Sequence, residues 1–187
     1  MSTSSGFTLI ELMVTIALAA ILMALAAPSF SATIASNRLS AQTSDLITSL
    51  NAARSESIRR GRRVTVCKSG DGSSCATEGD WSTGWIAFED KDSDAVVDEK
   101  ETVLLVHQTG ENLTMVKGTT NVSSYVSFTP DGRAKLINGS TQSGTLRVCS
   151  KSSALGDARR ARNVTVNPVG RIESSVISST VTCPAAT

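Results

Sequence analysis

Five carboxylates recur through one short stretch of the chain. Counted from Asp90 as position 1, they stand at 1, 3, 5, 9 and 12: Asp90, Asp92, Asp94, Asp98 and Glu101. Oxygens at those offsets wrap a calcium ion in a twelve-residue loop, and the last acid closes the shell. Val97 suits position 8, whereas Ala95 stands at position 6, where glycine makes the sharp turn. The flanking runs WIAF and VLLV read as strands, not as a helix pair. The competing reading is a solvated hairpin loop whose charge discourages strand-edge pairing. Calcium is the one cofactor the residues suggest.

Arginines make the second constellation. Arg159, Arg160, Arg162 and Arg171 fall in a segment with strand character. Four guanidinium groups on a strand pair could hold a nucleic-acid backbone. No aromatic residues interleave with them for base stacking. The alternative is a solvated or protein-contact surface. Net charge is only +1, so bulk charge points to no partner. Catalysis has little to work with: the single histidine, His107, ends the apolar run VLLVH and reads as structural. No nucleophile elbow, phosphate loop or metalloprotease motif occurs, and the expectation is a protein that is not an enzyme.

Four cysteines, Cys67, Cys75, Cys149 and Cys183, fit an exported domain and allow three pairings. Cys67–Cys75 would close a short Gly/Ser-rich loop, and Cys149–Cys183 would tie the C-terminal tail to a strand; this pairing is favoured. Chain-entropy arguments assign the two loops about 2.5 and 4 kcal/mol. Zinc is disfavoured because no C-x₂-C pair occurs.

The elements that position these groups begin with an apolar run, Phe7 to Phe30, of 24 residues. As a helix it spans about 36 Å, enough for a hydrocarbon core of roughly 30 Å. It carries one acid, Glu11. An acid inside a membrane helix costs about 2.5–3.5 kcal/mol on insertion scales, so it usually marks function. A positive partner would remove most of that cost. Gly6 precedes the apolar core, whereas a secretory signal is cut after its core. Pro28 is expected to kink the helix.

Gly6-Phe7-Thr8-Leu9-Ile10-Glu11 resembles the type III signal of type IV pilins and pseudopilins. The resemblance implies that a prepilin peptidase cuts after Gly6 and that the new N-terminus at Phe7 is methylated. It places Glu11 fifth and Pro28 twenty-second after the cut, as in that family. It also implies that Glu11 meets the Phe7 amine of an adjacent subunit and sets its register during assembly.

Beyond Pro28, Leu39, Leu46, Ile47, Leu50, Ala53 and Ile58 recur mostly at helical spacing, as in an amphipathic stem. Arg59 and Arg60 suit a helix C-terminus, and Gly61 supplies the stop. Strands are expected at 63–68, 84–89, 102–107, 113–117, 125–129, 146–150, 163–166 and 171–174, divided by turn residues. The architecture is α+β: one long N-terminal helix packed on an antiparallel sheet. The expected divisions are a leader at 1–6, a transmembrane and assembly helix at 7–30, a stem at 31–61 and a periplasmic head at 62–187.

This second half is similar to the GspH/FimT branch of minor pilins. The likeness rests on LITSLNAARSESIRRGRRVTVC, on WIAF with its acidic loop, and on NVTVNPVGR. The late Cys183 is similar to FimU-like members. FimT-like members include DNA receptors with a G-R-x-R tail motif, against which this chain reads Gly170-Arg171-Ile172-Glu173. The resemblance implies a minor pilin of the type IV pilus tip that primes or caps assembly. Alternatives are a type II secretion pseudopilin and a DNA-uptake receptor. Its expected partners are other pilins, the prepilin peptidase, the inner membrane and, in the last reading, DNA.

Overall fold

Leu, Ile, Met and Ala dominate the N-terminal third, and most are good helix formers. In the computed structural model they belong to one helix, α1 (Leu9–Arg60), of 52 residues. The structure describes residues 6–109, 113–156, 159–177 and 183; the side chains of 24–29 lie outside that description. The leader residues Met1–Ser5 also lie outside it. Helix α1 is one unbroken element across Pro28, the position expected to bend it. Among the described residues, no helix is long and apolar enough to cross a membrane. The side chains of six positions of the apolar run, 24–29, fall outside that description.

The helix ends as its last turn dictates. Gly61 takes a left-handed conformation (φ 63°), and its N–H donates to the Ile58 carbonyl at 3.3 Å. Arg62 N–H reaches the Ser57 carbonyl at 3.3 Å, so the terminal carbonyls are satisfied. The stem buries Leu39, Thr43, Leu46, Leu50, Ala53 and Ser57. That spacing of four and three is a single helical stripe. Thr43 and Ser57 fit the stripe because their hydroxyls bond back to the helix, to the Leu39 and Arg54 carbonyls at 2.7 Å each. Ile58, expected on this face, is instead 53 % exposed, because it follows Ser57 directly and so points about 100° round the helix from the stripe.

Eight strands follow: β1 (Val64–Lys68), β2 (Gly84–Glu89), β3 (Val103–Gln108), β4 (Thr114–Gly118), β5 (Tyr125–Phe128), β6 (Gly144–Ser150), β7 (Ala161–Val166) and β8 (Ile172–Val176). They form two four-stranded antiparallel sheets, ordered β3-β2-β1-β5 and β4-β6-β7-β8. The strands do not pair in simple succession. β5 returns to β1 with Val64 opposite Phe128, while β4 crosses to β6 with Met115 opposite Cys149.

One core joins the sheets to the stem. It gathers Leu46 and Leu50 from α1, Val66, Trp85 and Phe128 from the first sheet, and Leu146, Val148 and Val164 from the second. The first sheet's other face holds Cys67, Ile86 and Phe88, against which Val97 and Tyr125 pack. The two disulfides join Cys67 to Cys75 and Cys149 to Cys183.

A buried Gln142 stitches the connection between sheets. Its Oε1 accepts from Ser127 N–H at 2.9 Å, and its Nε2 donates to the Asn121 and Tyr125 carbonyls at 2.7 and 2.9 Å. Near the far end of the helix, Arg54 donates to the Gly132 carbonyl (2.9 Å) and the Val169 carbonyl (3.3 Å). One side chain thereby fixes two turns to the stem.

Candidate functional site

Three sets of residues carry the chemistry, and the fold places them at different levels along α1. The first set opens the helix. Thr8 is the N-cap; its hydroxyl accepts from Glu11 N–H, and Glu11 Oε2 accepts from Thr8 N–H, both at 3.4 Å. This reciprocal pair satisfies two backbone donors that helices leave open at their start. Glu11 therefore already has a role within its own chain. The Thr8-x-x-Glu11 spacing is the sequence signal of this capping box, a role for Glu11 beyond the one expected of it in assembly. Phe7, directly before the cap, is 82 % exposed, and Gly6 is also exposed.

The second set is the loop between β2 and β3, close to where α1 ends, because Glu89 pairs with Val64. Asp90 is buried at 1 % exposure; its Oδ2 accepts from the Thr65 hydroxyl at 2.6 Å and its Oδ1 from Asp94 N–H at 3.1 Å. Asp90, Asp92 and Asp94 bring carboxylate oxygens within 4.8 Å of one another. Ala95 adopts the left-handed conformation (φ 63°) at the position where glycine would be expected. Desolvation, followed by the charges of Asp92 and Asp94, raises the Asp98 carboxyl above the usual range. Glu101 differs from its expected place in the shell. Its oxygens accept from Lys91 N–H (2.6 Å) and Asp98 N–H (3.2 Å), so it closes the loop by binding backbone. Desolvation is the largest cause that pushes its carboxyl up. The structure thus clusters three of the five predicted acids. Next to the loop, Glu89 is held by Arg60 (3.5 Å) and Arg62 (3.1 Å).

The third set is the arginines, and the fold divides them. Arg159, Arg160 and Arg162 sit at the start of β7, beside the end of β6, because Cys149 pairs with Ala161 and Val148 with Arg162. Arg171 precedes β8 at the opposite end of that hairpin, where Ile172 pairs with Val166. About five residues of strand, roughly 16 Å, separate Arg162 from that end. Arg171 binds Glu173 at 2.9 Å, the acid that stands at the second arginine position of G-R-x-R. Arg160 is buried at 7 % exposure, and its Nη2 donates to the Cys183 carbonyl at 3.2 Å. The four-arginine face expected from sequence is therefore not one surface: Arg160 holds the tail beside the disulfide, and Arg171 lies elsewhere. Gly170 has a packing role, since a Cβ there would come within 1.9 Å of the Gly132 carbonyl oxygen. His107 stacks on buried Trp85, ring centroids 4.1 Å apart.

Comparisons with known proteins fit this geometry. A profile of the prokaryotic N-terminal methylation motif covers residues 1–27. The profile of a family described as type II transport protein GspH matches residues 42–170, from the stem to the turn before β8. The chain belongs to the GspH family. The fold of this GspH-family chain is also that of a solved pilin. A crystal structure of the type IV minor pilin FimU of Pseudomonas aeruginosa strain PAO1 superposes with a TM-score of 0.56 at 19 % identity, over 78 % of this chain and 94 % of that one. A second crystal form of FimU gives 0.50 at 19 % identity, over 80 % and 97 %. No curated protein matches the chain at a significant level. The GspH-family chain is thus a pilus or pseudopilus component with a pilin fold and the N-terminus of a membrane-anchored pilin.

Proposed function

We propose that this chain is a minor pilin that primes or caps a type IV pilus as a subunit of its tip. Prepilin peptidase cuts between Gly6 and Phe7 and methylates Phe7, and the chain waits in the inner membrane with its head in the periplasm. On assembly, the helix leaves the bilayer and packs against neighbouring minor and major pilins. Glu11 then trades its bond to Thr8 N–H for the Phe7 amine of the adjacent subunit. The observation that carries this reading is an exposed N-terminal helix continuous with a stem buried in a disulfide-stapled head of FimU-like fold.

A second reading, a pseudopilin of a type II secretion system, draws on the description of the matched family. Deleting the gene and scoring piliation, protein secretion and transformation together separates the two. Loss of pili with normal secretion is the expected result; loss of secretion alone supports the pseudopilin. Loss of transformation with normal pili would favour DNA uptake. A strain normal in all three overturns the proposal.

The Asp90, Asp92 and Asp94 cluster suits calcium by the chemistry of its donors. Calorimetry of the full chain in detergent should record heat on adding calcium, abolished by Asp92→Asn. Absence of heat at millimolar calcium removes the ion from the account.

A further inference from the structure

The membrane-proximal end of the head carries a cleft to which the proposed function gives no role. It opens where the end of β6 meets the stem, has a volume of ≈ 510 Å³, and is lined by Ser31, Ile34, Arg38, Leu113, Lys151 and Ser152 among others. Its two cations come from different elements, Arg38 from α1 and Lys151 from the residue after β6. Ser150 N–H donates to the Arg160 carbonyl at 2.8 Å, which sets the start of β7 against the same rim. Exposed Arg159 and half-buried Arg162 extend the basic surface from there. The acids nearest in sequence, Asp45, Glu111 and Asp157, are one fewer than these four cations.

Position decides what such a cleft would meet. The apolar run ends at Phe30, and Arg38 lies eight residues on, about 12 Å along the helix. A headgroup layer fills roughly 5–8 Å on each side of the hydrocarbon core, and a flexible cationic side chain covers the remainder. Serine hydroxyls and two cations suit phosphodiester oxygens, while Ile34 and Leu113 give the cleft an apolar flank for glycerol and the first acyl carbons. Arg38 and Lys151 also hold contacts within the chain, so a headgroup joins an existing network.

We propose that this cleft and its arginine rim bind the headgroup of an anionic phospholipid, seating the head on the bilayer before assembly. The inference rests on the reading that the N-terminal helix is anchored in a membrane.

Hydrogen exchange on the full chain in nanodiscs tests it. Amides of 150–156 and 159–162 should exchange more slowly in discs containing phosphatidylglycerol than in discs of phosphatidylcholine alone, and added salt should erase the difference. Arg38→Gln and Lys151→Gln should each reduce the protection by about fivefold, the effect of one cation near an anionic surface. Arg133→Gln, on the turn after β5, should leave it unchanged. Equal exchange in both discs overturns the proposal while leaving the anchor intact. A chain that enters neither disc overturns the anchor reading and this one with it. Equal protection from inorganic phosphate in phosphatidylcholine discs reassigns the cleft to free phosphate and overturns the lipid. Unequal protection that survives both glutamine variants also overturns it, because the cleft would not be its source.

Discussion

At the scale of single residues, the firmest assignments are those with several bonds to one group. Asp71 sits inside the Cys67–Cys75 loop and accepts from Ser69 Oγ (3.0 Å), Ser73 N–H (2.8 Å), Ser74 N–H (2.9 Å) and Ser74 Oγ (2.6 Å). The Ser74 hydroxyl leads the causes that hold its carboxyl well below the ordinary range. A depressed carboxylate contributes stability that is present above the unfolded value of about 3.9 and lost as pH falls through the lower folded value. Asp71→Ala should therefore lower the melting temperature at neutral pH, and the gap from the parent should close as the solution is acidified below that range. Thermal melts across acidic pH check it. Gly170 makes an independent prediction. Its φ of 78° and the 1.9 Å approach to the Gly132 oxygen leave no room for a methyl group. Gly170→Ala should destabilise by at least about 1–3 kcal/mol in chemical denaturation.

At the scale of elements, the stem and sheets depend on a shared core. Leu46 is fully buried among residues of both sheets. Leu46→Ala should cost about 2–5 kcal/mol and shift the denaturation midpoint accordingly, because the packed surroundings can collapse only in part. Much of this level was legible in the sequence. Alternation and turn residues locate all eight strands to within two residues at their ends, with Gly, Pro or Ser marking most boundaries and acids marking the β2–β3 loop. The Leu39–Ala53 periodicity locates the buried stripe. Sheet membership was not legible, because it depends on β5 returning to β1 over long range, and local pattern carries no trace of that. The same limit explains the arginines. Arg160 and Arg162 stand two residues apart and look equivalent in a linear segment, yet Arg160, just before β7, is buried where it binds the Cys183 carbonyl, while Arg162 stays half-buried. Glu101 reads as a ligand by count; only the folded loop reveals two backbone N–H groups that claim it.

At the scale of the whole molecule, the processing reading has a direct test. Gly6→Leu places a bulky side chain at the expected cut, so the leader should remain attached. Mass spectrometry of the N-terminus in cells with prepilin peptidase should find Met1 or Ser2 retained in the variant and methylated Phe7 in the parent. Retention in the variant alone supports the cut site; identical termini in both exclude it. The charge layout adds a directional property. Acids gather in the β2–β3 loop near the end of α1, while Arg38, Lys151, Arg159 and Arg162 gather toward the apolar run. Arg59, Arg60 and Arg62, at the same end as the acids, are paired with Glu56 and Glu89.

The Cys149–Cys183 bond also constrains timing. Its second sulfur lies 34 residues along the chain from the first, whereas the strand it secures is complete by Ser150. During export, β6 therefore waits for β7, β8 and the segment up to Cys183 before it is locked. A head stalled short of Cys183 presents an unoxidised Cys149, a chemical flag that distinguishes an unfinished subunit from one ready to join a filament.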